Sequence, residues 1–130
     1  FRILRTNMSF MAKKDKEMKV ITLTSFNEGA GKTFIARNLA MSLVFAKKKV
    51  VLLDLDIRKG TLSRYFKKHP VGVTNYLSDN SVLLSDIIHS DEKFENLHII
   101  SSGTIAPNPA ELLMDSRLDE MIAELRNNYD

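Results

Sequence analysis

The stretch SFNEGAGKTF, residues 25–34, decides how the rest of the chain is read. It closes on Gly31-Lys32-Thr33, the end of a phosphate-holding loop, but Phe26 stands where such loops carry their first glycine. The flanks supply the context that the pattern requires. Residues 18–25, MKVITLTS, are β-branched and apolar and are expected to form a buried strand. Residues 32–47 carry Phe34, Ile35, Leu39, Leu43 and Val44 at helical spacing and close on lysines, which predicts a helix. A strand, a glycine loop and a helix aim the amides of residues 29–33 at a β-phosphate, at the positive end of the helix dipole. Gly29 and Gly31 let the backbone approach an anion closely. Lys32 is expected to reach the β- and γ-phosphates, and the Thr33 hydroxyl to hold Mg²⁺. A chance Gly-Lys-Thr in a βα turn is the plain alternative, and the strand and helix on either side weigh against it.

Residues 49–54, KVVLLD, form a near-continuous apolar run, as in a parallel sheet covered on both faces. Asp54 and Asp56 lie at its carboxyl end, where open α/β sheets bind ligands. Two apart on a strand, they would share a face. Their mutual repulsion favours a cation beside them. Mg²⁺ carried by ATP fits, with one carboxylate ordering the metal and the other accepting a proton from an attacking hydroxyl. Taken alone, the pair reads as an ordinary polar strand end with Asp56 capping the next turn.

Further along, a short helix is expected over residues 61–66, and VTNYLSD and SVLLSDIIHS, residues 73–79 and 81–90, read as two short helical turns. Residues 97–101, LHIIS, read as a third strand, and SGTIAPNPAELL, residues 102–113, as a loop that becomes a helix near Pro109. An amphipathic helix is predicted over residues 116–127, with Leu118, Met121, Ile122 and Leu125 on one face. Another is predicted over residues 1–11, with Ile3, Leu4, Met8 and Met11 on one side. This alternation predicts an α/β fold, P-loop NTPase-like and doubly wound, with a mainly parallel sheet and helices on both faces.

With 130 residues the chain suits one domain. It has no cysteine, which excludes disulfides and thiolate metal sites in these residues. No apolar run approaches the ~20 residues of a membrane span, and Phe1 to Arg5 leads into no apolar leader region, so none is expected. The net charge is +3, with lysines grouped at Lys13-Lys14, Lys47-Lys48-Lys49 and Lys67-Lys68. No aromatics are interleaved with them, so solvated helix ends are expected rather than a nucleic-acid surface. His69, His89 and His98 are too scattered for a metal site. His98 reads as a satisfied core or edge histidine, and Tyr65 and Tyr76 as packing residues. Arg58 follows the aspartate pair and could touch phosphate or pair with an acid.

Four segments together resemble the bacterial tyrosine kinases of capsule and exopolysaccharide assembly, P-loop enzymes related to the partition and cell-division ATPases. SFNEGAGKTFIARNLA and VVLLDLDIRKG resemble their Walker A and Walker A′ motifs. GTIAPNPAELLMDSRLDEMI resembles their Gly-x-x-x-Pro-Asn-Pro-x-Glu-Leu-Leu segment, and FRILRTNMSF their N-terminal arginine segment, with Arg2 and Arg5 as the arginines. The resemblance covers almost the whole chain. It implies an ATP-dependent protein tyrosine autokinase that regulates capsular or exopolysaccharide synthesis and export. ATP would be held by Asn27, Glu28, Gly29, Ala30, Gly31, Lys32, Thr33 and Phe34, and Mg²⁺ by Thr33, Asp54 and Asp56. Lys32, Asp54 and Asp56 would be catalytic, with Asp54 the base toward a tyrosine hydroxyl and Asp56 on the metal. The loop before Pro109, with Asn108, would rim the nucleotide.

The same resemblance implies a single partial kinase domain over residues 1–130, with residues 1–17 as a helical oligomerisation segment. It implies a homo-oligomeric ring in the full-length protein, with Arg2 and Arg5 at the contact. A transmembrane polysaccharide co-polymerase domain, fused or separate, and a tyrosine phosphatase would be the partners, and nucleic acid would not. The place of action would be the cytoplasmic face of the plasma membrane, with this piece itself soluble. The sequence departs from the family at three points. The N-terminal glutamate would precede Phe1. The Walker B strand would follow a Tyr-Asp pair such as Tyr129-Asp130, so the fold is expected to be truncated before it. Thr61 stands where one branch has a tyrosine. The partition ATPases carry an extra lysine near the start of the loop, five residues before Lys32, where this chain has Asn27. A partition-type ATPase switch that hydrolyses ATP and binds a partner is therefore the alternative. An adaptor with a degenerate loop is disfavoured by the intact Lys32, Thr33, Asp54 and Asp56.

Overall fold

The apolar runs at residues 50–53 and 97–100 meet at the centre of the molecule. A computed structural model describes residues 1–12, 19–24, 31–57 and 70–130. The elements in chain order are α1 (Arg2–Ala12), α2 (Lys32–Phe45), β1 (Val50–Leu53), α3 (Val73–Ser78), α4 (Leu84–Ile87), β2 (Ile88–Ser90), β3 (Leu97–Ile100), α5 (Pro109–Leu113) and α6 (Ser116–Asn128). The helix expected over residues 61–66, and Tyr65 and Arg58, lie outside the described residues.

The three strands are ordered β1-β3-β2. β1 runs parallel to β3, with Val50 opposite Leu97 and Leu53 opposite Ile100. β2 runs antiparallel to β3, with Ile88 opposite Ile100. Alternation along the strands sorts the side chains onto two faces. Val51, Leu53, Ile88 and Ile100 pack with Val73, Tyr76, Leu77, Ile87, Leu112, Met121 and Leu125 from the helices α3 to α6. The opposite face holds the buried Leu97 and Ile99, and α2 packs there with its buried Leu39 and Ala40. Helices therefore cover both faces of an α/β sheet whose central pairing is parallel.

Three expectations change. Residues 19–24 form no strand, and Val20 and Ile21 are 46% and 41% exposed. A strand needs a ladder partner, and the carboxyl end of α6 stands beside this segment instead: Lys19 Nζ donates to the carbonyls of Arg126 and Tyr129. Ile88–Ser90 is a strand rather than helix, because pairing with β3 takes over after one helical turn at Leu84–Ile87. On α1, Ile3 is 76% exposed and Leu4 41%, so the apolar side is less buried than expected. At the start of α2, Phe34 and Ile35 also remain exposed. The α6 face is as expected, with Met121 and Leu125 buried and Leu118 and Ile122 half-buried.

Two glycines fix how α3 crosses the end of β3. A Cβ on Gly72 would lie 2.1 Å from the Ser101 carbonyl oxygen and 2.6 Å from the Gly103 nitrogen. Gly103 has φ +87°, and a Cβ there would meet Thr74 Oγ1 at 2.5 Å. That closeness lets Val73 N and Thr74 N donate to the Ser101 and Ser102 carbonyls, at 2.9 and 3.0 Å. Thr74 Oγ1 donates to the Thr104 carbonyl at 2.7 Å.

At the opposite end of the sheet, the carboxyl end of α6 is tied to β1 and β3. Tyr129 OH lies 2.6 Å from His98 Nδ1, and the Lys49 ammonium lies 5.1 Å from the Tyr129 ring centre. Asp130 N donates to the Lys49 carbonyl at 2.9 Å, and Lys49 N donates to Asp130 Oδ2 at 2.8 Å. His98 is therefore a satisfied histidine at the margin of the core. Burial first, then the Lys49 charge, hold its imidazole below the ordinary value of 6.5, while a hydrogen bond with the Glu95 backbone acts the other way.

Two expected outcomes test this packing. Gly72→Ala forces a methyl against backbone that cannot move aside cheaply. It should destabilise the protein by about 2–3 kcal/mol in urea unfolding, and a change within ~0.5 kcal/mol would show that the crossing is loose. For His98 the folded value lies below the unfolded one, so the unfolded state binds more protons once the pH drops below 6.5. Stability should fall as the pH is lowered through that value and level off after the folded imidazole charges. His98→Gln should flatten the slope of urea midpoint against pH between 8 and 5, and an unchanged slope would assign it to other groups.

Candidate functional site

Gly31 opens α2 in the left-handed region, with φ 84° and ψ 11°. A Cβ there would meet nothing within 4 Å, so the backbone conformation, and not a lack of space, selects glycine. Its carbonyl accepts from Ile35 N at 2.9 Å, which starts the helix. Among the described residues no side chain caps this end, and the first amides of a helix suit an anion. Lys32 is exposed and Thr33 half-buried, both in the first turn. Asn27, Glu28, Gly29 and Ala30 lie outside the described residues. Phe34 is 56% exposed, and its ring meets that of Phe1 edge-on at 5.9 Å.

Asp54 and Asp56 stand at the carboxyl end of β1, but not on the strand. β1 ends at Leu53, and Asp56 N donates to Asp54 Oδ1 at 3.0 Å. The chain therefore turns where an extended pair was expected, because a carboxylate can accept the amide two residues on. Asp54 is 3% exposed and Asp56 half-buried. Asp54 N donates to the Ile100 carbonyl at 3.0 Å, which carries the parallel ladder one residue past β1. Alternation puts Asp54 on the sheet face that α2 covers.

These donors suit a hard cation carried by a phosphate. Thr33, Asp54 and Asp56 offer oxygen only, and among the described residues no group of three or more His, Asp or Glu could hold a metal alone. Mg²⁺ is bound by one or two carboxylates together with substrate phosphates, and it is reluctant to enter an all-protein cage. The residues present therefore fit Mg²⁺ with a nucleotide better than a resident metal.

Beside Asp56 lies an apolar cleft of about 270 Å³ lined by Leu55, Ile57, Pro109, Ala110 and Leu113. Pro109 stands at the first turn of α5, as expected, and borders the aspartate side of the sheet edge. Asn108 is exposed, and its Nδ2 donates to Glu111 Oε2 at 3.2 Å.

The two arginines of α1 diverge. Arg5 Nη1 donates to the Ser42 carbonyl and, at 3.3 Å, to its hydroxyl, so this guanidinium joins α1 to α2 within one chain. Arg2 is exposed and lines, with Arg5, Asn38, Met41 and Phe45, a groove of about 460 Å³. Sequence reasoning passed over Ser101, Gly72 and Gly103. Only the pairing of two glycines across a strand end could have pointed to them, and that pairing becomes visible with the fold.

A family model described as AAA domain matches residues 18–130. The chain is 39% identical to the tyrosine-protein kinase YwqD of Bacillus subtilis (strain 168), over 100% of the chain and 54% of that protein. It superposes on the BceF tyrosine kinase domain with a TM-score of 0.85 and 41% identity, over 98% of the chain and 50% of that structure. It superposes on the septum site-determining protein MinD complexed with Mg-ADP, from Pyrococcus horikoshii OT3, with a TM-score of 0.65 and 26% identity, over 82% of the chain and 44% of that structure. The chain spans about half the length of the curated relatives it matches.

Proposed function

Since the chain belongs to the AAA-domain family and is similar over its whole length to tyrosine-protein kinases, we propose that it is the nucleotide-binding part of an ATP-dependent protein tyrosine autokinase. The observation that carries this reading is a glycine-led α2 together with Asp54, a nearly fully buried carboxylate at the carboxyl end of β1 whose Oδ1 accepts the Asp56 amide. Asn27 to Phe34 would wrap the ATP phosphates. Lys32 would offset charge on the γ-phosphate as it departs, and Thr33 and Asp56 would hold Mg²⁺. The metal, when bound, would supply positive charge against the phosphates. Asp54, nearly fully buried and with Oδ1 held by the Asp56 amide, would accept the tyrosine hydroxyl proton. The partition-type switch finds support in the likeness to MinD, but that likeness is the lesser one, and Asn27 stands where the lysine would be.

The wider setting belongs to the same proposal: a ring of identical subunits, a transmembrane polysaccharide co-polymerase region fused or separate, a tyrosine phosphatase, and action at the cytoplasmic face of the membrane in capsule or exopolysaccharide export. Among the described residues no helix is long and apolar enough to cross a membrane. For the ring, the exposed Arg2 beside its groove is the better candidate contact, because Arg5 already serves Ser42.

Labelled ATP tests the reaction on the full-length protein. Label should pass to tyrosine, and passage to free phosphate alone would favour the switch. Lys32→Met should lower tyrosine phosphorylation by about 100-fold or more, the scale of a lost transition-state charge contact. Asp54→Asn should lose phosphoryl transfer but keep Mg-ADP binding in calorimetry, while Asp56→Asn should weaken that binding. Equal loss of binding in both would refute the division of roles. Light scattering tests the ring: Arg2→Ala should dissociate the full-length assembly, and intact rings would return Arg2 to a solvated face.

A further inference from the structure

Ser101 is fully buried, and among the described residues its Oγ has no hydrogen-bond partner. Buried hydroxyls are nearly always paired, since an unpaired one costs stability, so the exception asks for a reason. Its location supplies one. In the parallel ladder Val50 stands opposite Leu97 and Leu52 opposite Ile99. The bond from Asp54 N to the Ile100 carbonyl repeats, two ladder steps on, the bond from Val50 N to the Asn96 carbonyl. Asp54 is thus the next cross-strand partner of Ser101. Neighbouring strands lie about 4.8 Å apart, and in-register residues of a parallel pair point to the same face. By this register a buried hydroxyl that bonds to nothing among the described residues stands one cross-strand position from the buried Asp54 carboxylate.

The place of Ser101 is fixed by more than its own strand. Val73 N donates to the Ser101 carbonyl, and Gly72 packs so closely on that carbonyl that no Cβ would fit. The backbone of Ser101 is clamped while its side chain is left unused. Asp54 Oδ1 meanwhile accepts the Asp56 amide.

We propose that Ser101 is a positioning residue for Asp54. Its hydroxyl donates to the Asp54 carboxylate in the nucleotide-bound protein and fixes the orientation in which that carboxylate meets the acceptor hydroxyl. This role rests on the kinase reading above. Ser101 touches neither nucleotide nor acceptor, and it acts only through Asp54.

The experiment uses the full-length protein with Ser101→Ala and Ser101→Thr. Without nucleotide, Ser101→Ala should unfold at the same temperature as the parent or above it, because the hydroxyl it removes is unpaired. With Mg-ATP its kcat for tyrosine phosphorylation should fall about tenfold while KM for ATP and the affinity for Mg-ADP hold. Ser101→Thr, which keeps the hydroxyl, should restore kcat, and Ser101→Ala should add nothing to the loss in Asp54→Asn. A lowered unfolding temperature for Ser101→Ala would show that the hydroxyl is already bonded and would overturn the proposal. An unchanged kcat, or additive losses with Asp54→Asn, would do the same. Absence of tyrosine phosphorylation in the parent would overturn the kinase reading and this role with it. Normal parent activity beside an unaffected Ser101→Ala would overturn this role alone.

Discussion

The parallel ladder between β1 and β3 governs everything at the carboxyl edge of the sheet. Its register puts Leu53 beside Ile100 in the core and carries on, through the bond from Asp54 N to the Ile100 carbonyl, to set Asp54 beside Ser101. A slip of one residue would turn Asp54 into the apolar core with Val73 and Met121, and would bring Leu53 to the α2 side. The apolar side chains that make the ladder stable are thus the ones that aim the carboxylate. Burial of Leu97, Ile99 and Ile100 on both faces of β3 holds the register.

What the sequence disclosed, and what it did not, follows from how local each signal is. β1 and β3 were readable because each is a short, nearly unbroken apolar run, the pattern of a strand covered on both sides. The α6 face was readable from its period, and Pro109 from its fit to a first helical turn. Lys32, Thr33, Asp54 and Asp56 could be named because a short motif and a strand end carry them. Residues 19–24 were misread because apolar, β-branched composition does not provide a partner, and strand identity rests on pairing. β2 was missed for the converse reason: three residues after a helical turn become a strand only because β3 lies alongside. Ser101 was read as the last residue of a strand, and a serine there means little until the register sets it opposite an aspartate.

The arginines show how one residue can serve the fold in a place where a partner was expected. Arg5 lies on the α1 side that faces α2, where the carbonyl of the buried Ser42, in the last turn of that helix, accepts from Ala46 N and has a lone pair to spare. Its guanidinium thereby joins the N-terminal helix to the one that begins at Gly31. The Phe1 ring, just before α1, is set against Phe34 in the first turn of α2, while Arg5 holds its last turn at Ser42. The stiffness of the phosphate end of α2 thus depends in part on a helix that contributes nothing to the edge of the sheet.

The tie at the far end of the sheet bears on how the chain reaches this structure. Lys49 meets Asp130 across 81 residues of sequence, and Lys19 meets Tyr129 across 110. Contacts so distant along the chain close large loops before they return any stabilisation, and such closures slow folding. The β1–β3 ladder and the α3–α6 core are more local and can assemble first. During synthesis, residues 19–24 must wait for Tyr129 to leave the ribosome before Lys19 has its acceptors. The bonds that tie Lys19 to the end of α6 are therefore among the last contacts the chain can form as it is made.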